Sequence, residues 1–178
     1  MDWLFSGSTS KSTVVQKHSQ AEERFFHLLH QGVDGIEQAI ELGADPCAWY
    51  VKHPLSIYIV KHNTDEVNAL LRWGVDPNLT TEGIVYDEHD DGDHTIFGLA
   101  LHLAQRKVDI NALDAVGDAY LEIIASCVIF GGSVELLKQY PDLIEALCKC
   151  NYIYSLPWDP DIKAKLLELI RTGFFTRI

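Results

Sequence analysis

Ile36-Glu37-Gln38-Ala39-Ile40-Glu41-Leu42-Gly43-Ala44-Asp45-Pro46 returns 31 residues later as Val67-Asn68-Ala69-Leu70-Leu71-Arg72-Trp73-Gly74-Val75-Asp76-Pro77. The same shift carries Phe26, Leu28 and Leu29 onto Ile57, Ile59 and Val60. Apolar residues recurring at three- and four-residue intervals mark helical stripes, and a glycine after the last stripe marks a helix exit. A period in the low thirties built from two short helices describes units that cannot bury their apolar faces alone and must stack.

Working outward, the first unit opens near Ala21, with Phe25, Leu28 and Leu29 on one helical face and Gly32 as the turn. Asp34 reads as the N-cap of its second helix and Gly43 as the residue after that helix ends. In the second unit Pro54 stands where a first helical turn tolerates a missing N–H. Asn63-Thr64-Asp65-Glu66 has the form of a capping box before the stripe Val67, Leu70, Leu71. The register then breaks. Residues 79–94 form an acidic insertion, after which Thr95-Ile96-Phe97-Gly98-Leu99-Ala100 restarts a third unit with its second helix expected over Val108–Val116. Tyr120, Ile123, Ile124, Cys127 and Val128 predict the first helix of a fourth unit, with Gly131-Gly132 as its turn and Ser133 to Leu137 as its partner. Two further helices are expected over Asp142–Cys150 and Asp159–Thr172.

His53-Pro54-Leu55-Ser56, Asp65-Glu66-Val67, Leu70-Leu71 and Gly74-Val75-Asp76-Pro77-Asn78 together resemble an ankyrin repeat, and Gly43-Ala44-Asp45-Pro46 matches the close of the preceding unit. The resemblance implies an all-α, ankyrin-like helical repeat solenoid of three to four units with a C-terminal helical cap. Its divisions are a lead-in over 1–20, repeats over 21–140 with the insertion at 79–94, and a cap over 141–178. Thr and His are missing from the opening motif of the second unit, which implies weaker hydrogen bonding at that turn.

Composition narrows the function classes. The 178 residues are 47% hydrophobic and 22% charged, as in a globular domain, and their net charge of −12 repels nucleic acid and anionic membrane surfaces. Residues 1–20 have no signal-peptide pattern, and no apolar run approaches the ~20 residues of a membrane span, so a cytoplasmic setting, in its own or a host cell, is expected. Cys47, Cys127, Cys148 and Cys150 lack paired-ligand spacing and are expected as reduced core thiols.

For chemistry, Asp87-Glu88-His89-Asp90-Asp91-Gly92-Asp93-His94 is the densest group. Its alternate acids suggest a calcium loop, but counting from Asp87 puts His89 at the third position and Gly98 at the twelfth, where carboxylates belong. A solvated loop tip or a docking loop fits better, and neither a cofactor nor a metal is expected. No nucleophile elbow or phosphate loop occurs, and His27, His30, His62 and His102 read as surface or helix-end residues.

Aromatics in loops are the residue type that anchors protein interfaces. The candidate partner-binding residues are therefore Trp49 and Tyr50 between the first two units, Tyr58, Tyr86, and the acids Asp87, Asp90, Asp91 and Asp93. Trp73, just before a closing glycine, reads as packing. The family resemblance implies a non-catalytic inhibitor, immunity protein or effector/adaptor that binds another protein, possibly through a basic patch on it. Two alternatives stand beside it. Leu156-Pro157-Trp158-Asp159-Pro160 with the following leucines faintly resembles the F-box-like tails that recruit ubiquitin ligases, and the 87–94 loop would serve a metal-dependent enzyme.

Overall fold

Among the described residues, four helix starts are capped by a single polar side chain, His53, Thr95, Asp114 or Ser133, and four helix ends share one backbone closure. The computed structural model describes residues 20–48, 53–80 and 95–149, together with Ala164 and Glu168, and its regular elements there are all α-helices. In order they are α1 (Gln20–Leu29), α2 (Val33–Glu41), α3 (Pro54–Val60), α4 (Thr64–Arg72), α5 (Ile96–Lys107), α6 (Ala115–Ile129), α7 (Val134–Leu137) and α8 (Pro141–Lys149).

Successive helices pair, α1 with α2, α3 with α4 and α5 with α6, and the pairs stack. The second helices form one layer, α2 on α4 on α6, while α3 packs on α5 in the other. α8 closes over α5 and α6. Leu29, Ile36, Leu55, Ile59, Leu70, Phe97, Leu101, Ile123 and Ile124 are fully buried in one continuous core between the layers. The stripe of α2 meets α1 so closely that a Cβ at Gly35 would lie 2.2 Å from the Leu28 carbonyl oxygen.

The same closure ends α2, α4 and α6 on a glycine and α3 on His62, whose φ is 49°. Gly43, Gly74 and Gly131 all have positive φ, at 95°, 90° and 105°. In each case the glycine N–H and the next N–H reach back into the helix just ended. The bonds are Gly43 to Ile40 and Ala44 to Ala39, Gly74 to Leu71 and Val75 to Leu70, and Gly131 to Val128 and Gly132 to Cys127. This six-to-one, five-to-two pattern uses carbonyls that a helix end leaves without partners, and it needs a left-handed residue that glycine adopts without a Cβ penalty.

Several expectations are corrected. α2 starts at Val33 after Gly32, so Asp34 lies in the first turn and caps nothing. Asn63 precedes α4 but makes no side-chain cap, so the capping box is not formed. The opening of the second unit is not weakened by its missing threonine. Imidazole Nδ1 of His53 accepts from the Leu55 N–H at 3.2 Å, and the Ser56 hydroxyl donates to the His53 carbonyl at 2.7 Å. Thr95 caps α5 in the same way, accepting from the Gly98 N–H at 2.9 Å.

The largest correction concerns the third unit, because residues 108–114 are not helical. Asp109 there begins a turn in which its carboxylate accepts from the Asn111 N–H at 2.9 Å, as Asp45 accepts from Cys47 at 2.9 Å and Asp76 from Asn78 at 2.8 Å. Asp114 then accepts from the N–H groups of Val116 and Gly117 and starts α6. The stripe Tyr120 to Val128 thus belongs to the second helix of the third pair, not to the first helix of a fourth.

The insertion leaves through a closed neck. Thr80 and Thr95 form an antiparallel bridge, Ile96 N–H donates to the Leu79 carbonyl at 2.9 Å, and Phe97 N–H donates to that of Pro77 at 2.7 Å. The restart of the third unit is therefore held against the end of the second. The helix expected over Asp159–Thr172 falls outside the described residues except at Ala164 and Glu168, which are helical.

Candidate functional site

Each second helix ends on a large apolar residue that faces water. Leu42, Trp73 and Phe130 occupy the C-cap positions of α2, α4 and α6, directly before the closing glycines, and are 49%, 48% and 40% exposed. The closure puts them there, since the C-cap side chain points away from the turn while the glycine folds back beneath it. Val60, also exposed, ends α3 in the other layer.

These three helix ends are neighbours. α2 packs on α4 and α4 on α6, and side chains lace the closing turns together. Sγ of Cys47 approaches the Gly74 carbonyl at 3.9 Å, and the Asn78 side-chain amide donates to the Gly131 carbonyl at 2.8 Å. Leu42, Trp73 and Phe130 therefore form a row across the stack. A groove of about 290 Å³ runs between α2 and α4 beside it, with Val33 and Glu37 on one wall and Asp65, Asn68, Ala69, Arg72 and Trp73 on the other.

The two layers differ in charge. The second helices bear Asp34, Glu37, Glu41, Asp65, Glu66, Asp118 and Glu122 against Arg72. On the first-helix side, among the described side chains, Arg24, Lys61, Arg106 and Lys107 stand against Glu23. The exposed apolar row thus borders the acidic layer.

Of the residues singled out from the sequence, Tyr58 is corrected. It is 2% exposed, its ring edge-on to His30, with its hydroxyl donating to the Leu29 carbonyl, so it offers a partner no surface. Burial raises its phenol pKa. Trp49, Tyr50, Tyr86, Asp87, Asp90, Asp91 and Asp93 lie outside the described residues, as do the 87–94 loop of the metal reading and residues 156–163 of the F-box-like one. Trp73, expected as packing, is exposed instead. Among the described residues no three His, Cys, Asp or Glu side chains converge as a metal site, and no helix is long and apolar enough to cross a membrane.

Compared with protein-family models, curated proteins and solved structures, the chain gave no match.

The titratable interior groups are tuned away from reactivity. Burial pushes the Cys127 thiol up to about 12, and burial with the Asp45 carboxylate raises Cys47, so both stay protonated and poorly nucleophilic. Cys148, expected in the core, is exposed. His53 is fully buried, and burial takes its pKa down to about 4, against smaller upward pulls from the Cys47 backbone and the Asp45 carboxylate. Its role is missed when it is read only as a motif letter. The signal for the apolar row was present in the repeat, because Leu42 and Trp73 precede equivalent glycines and a C-cap side chain projects outward.

Proposed function

We infer that this chain is a non-catalytic protein-binding module, an ankyrin-like stack acting as an inhibitor, immunity protein or effector/adaptor in a cytoplasmic setting. One observation carries the reading. Three large apolar side chains are held in solvent at equivalent places in three stacked helix pairs, where a stack needs no side chain for its own packing. Exposed aromatic and aliphatic residues in a row, bordered by charge, are the composition of an interface centre with a polar rim. The acids of the neighbouring helices support a partner with a basic surface, because complementary charge speeds encounter and sets register.

The test is positional. A photo-crosslinking amino acid placed at 42, 73 or 130 in the intact chain should trap one protein in near-equal molar amount, while the same probe at exposed Gln105 and Gln139 should not. With that protein purified, Trp73→Ala should weaken the complex by about 2 kcal/mol, mainly through faster dissociation. Probes at Trp49 and Tyr50 ask whether the loop side takes part. Trapping from none of these positions would remove the reading.

A further inference from the structure

The row Leu42, Trp73 and Phe130 has a spacing as well as a composition. Packed helices lie about 8–10 Å apart, so the ends of α2, α4 and α6 place three apolar side chains along roughly 20 Å. An α-helix rises 1.5 Å per residue, which puts positions i, i+7 and i+14 on one side at about 10.5 Å intervals. A helix laid across the three ends therefore meets one apolar residue of the stack with each second turn of its own.

The charges beside the row select the sign of that helix. Glu37 and Asp65 stand in the groove with Trp73 and one cation, Arg72, Glu41 adjoins Leu42, and the second helices carry seven acids against that single arginine. Resting on the protein-binding reading above, we propose that this face docks a cationic amphipathic helix of a partner protein, with apolar residues at heptad spacing against Leu42, Trp73 and Phe130, and Lys or Arg over the α2–α4 groove. Such a helix buries its apolar stripe in a groove and its basic flanks against acids, a known mode of helix recognition. Two other occupants fit less well. Anionic lipid headgroups are repelled by the acids, and a second copy brings its own net charge of −12.

The probe is a synthetic helix of about 18 residues with leucines at i, i+7 and i+14 and lysines on either side, titrated into the full chain by calorimetry. Its comparison is a peptide of equal composition shuffled so that the leucines fall around the helix. The matched peptide should bind at least about tenfold more tightly than the shuffled one. Leu42→Ser with Trp73→Ser and Phe130→Ser should remove that preference, while Glu37→Gln, Glu41→Gln and Asp65→Asn should weaken both peptides and flatten the dependence on salt. Every substituted position is exposed, and variants are compared at matched helical circular dichroism.

Equal binding of matched and shuffled peptides, or unchanged preference in the serine variant, overturns the proposal. So does occupation of the face by vesicles of anionic lipid, or by a second copy in sedimentation, when Trp73 is substituted and the association is lost. The two readings fail separately. Crosslinks from the row without peptide preference leave a binding module with a different partner chemistry, whereas peptide preference without crosslinks supports the chemistry and removes the cellular role.

Discussion

The junction between the first and second helix pairs and the junction between the second and third are tied by the same two devices, in opposite strengths. At the first, the buried Tyr58 hydroxyl of α3 donates to the Leu29 carbonyl at the end of α1, while the closing turns are joined by the weak thiol contact of Cys47 with the Gly74 carbonyl at 3.9 Å. At the second, Tyr120 reaches the Val60 carbonyl only at 3.5 Å. There the closing turns are held by Asn78, which donates to the Gly131 carbonyl at 2.8 Å and accepts from the Ser133 N–H at 3.1 Å. Leu29 and Val60 are 31 residues apart, as are Cys47 and Asn78. The junction whose sequence repeats visibly is thus not the one with the stronger tie between its turns. A stack needs a bond at each helix end, and different side chains can supply it.

Acid should break this comparison most strongly. His53 caps α3 beneath the turn that carries Cys47, and Nδ1 can accept only while it is unprotonated. Its folded pKa of about 4 lies below the ordinary 6.5, so between those values the unfolded chain takes up a proton that the folded chain refuses. Stability from the neutral imidazole is full above pH 6.5 and falls away as pH drops toward 4, by roughly 3 kcal/mol. His30, lowered by burial and then by Lys61, acts in the same direction. Denaturant titration across this range should follow that slope, and amide exchange should open α1–α2 before α5–α6. A His53→Asn variant, which caps without titrating, should lose most of the slope.

Asn78→Ala should weaken the second junction by about 2 kcal/mol, since it removes two inter-unit bonds and leaves the Gly131 carbonyl and the Ser133 N–H without their partner. Cys47→Ala should cost less than about 0.5 kcal/mol by the same measurement, in keeping with a poor thiol donor. Equal costs at the two sites would erase the distinction between the junctions. The tyrosine pair should show the smaller contrast between the junctions. Tyr58→Phe should cost about 1 kcal/mol, because the Leu29 carbonyl it leaves is shielded from water, and Tyr120→Phe a few tenths. The reverse order in thermal unfolding would show that the 3.5 Å contact is the stronger.

Much of the helical pattern was legible in the residues. The 31-residue offset identified the first two pairs and their closing glycines, since apolar spacing and positive-φ glycines are local signals. The third pair escapes a fixed period because its parts are spread out. Gly131 follows Gly74 by 57 residues, with the insertion and the 108–114 turn between them, so a fixed period cannot find it. Asp109 resembles a damaged core position in a helical register but is the start of a turn equivalent to those at Asp45 and Asp76. The sequence reads Trp73 as packing and Tyr58 as a partner contact, whereas the structure leaves Trp73 half exposed and buries Tyr58.

That exchange marks the division between what the sequence alone determined and what only tertiary structure decided. Helix class, the repeated closure after Gly43 and Gly74, and the strong negative charge follow from propensity, periodicity and composition, which act over a few residues or over the whole chain. Which aromatic is buried depends on which helix lies alongside it. Tyr58 packs on His30 and bonds to the Leu29 carbonyl of the preceding pair, which leaves it 2% exposed, whereas Trp73 stands at the C-cap of α4 on the rim of the α2–α4 groove and stays 48% exposed. Burial is a property of neighbours brought together by stacking, and no spacing within one helix encodes it.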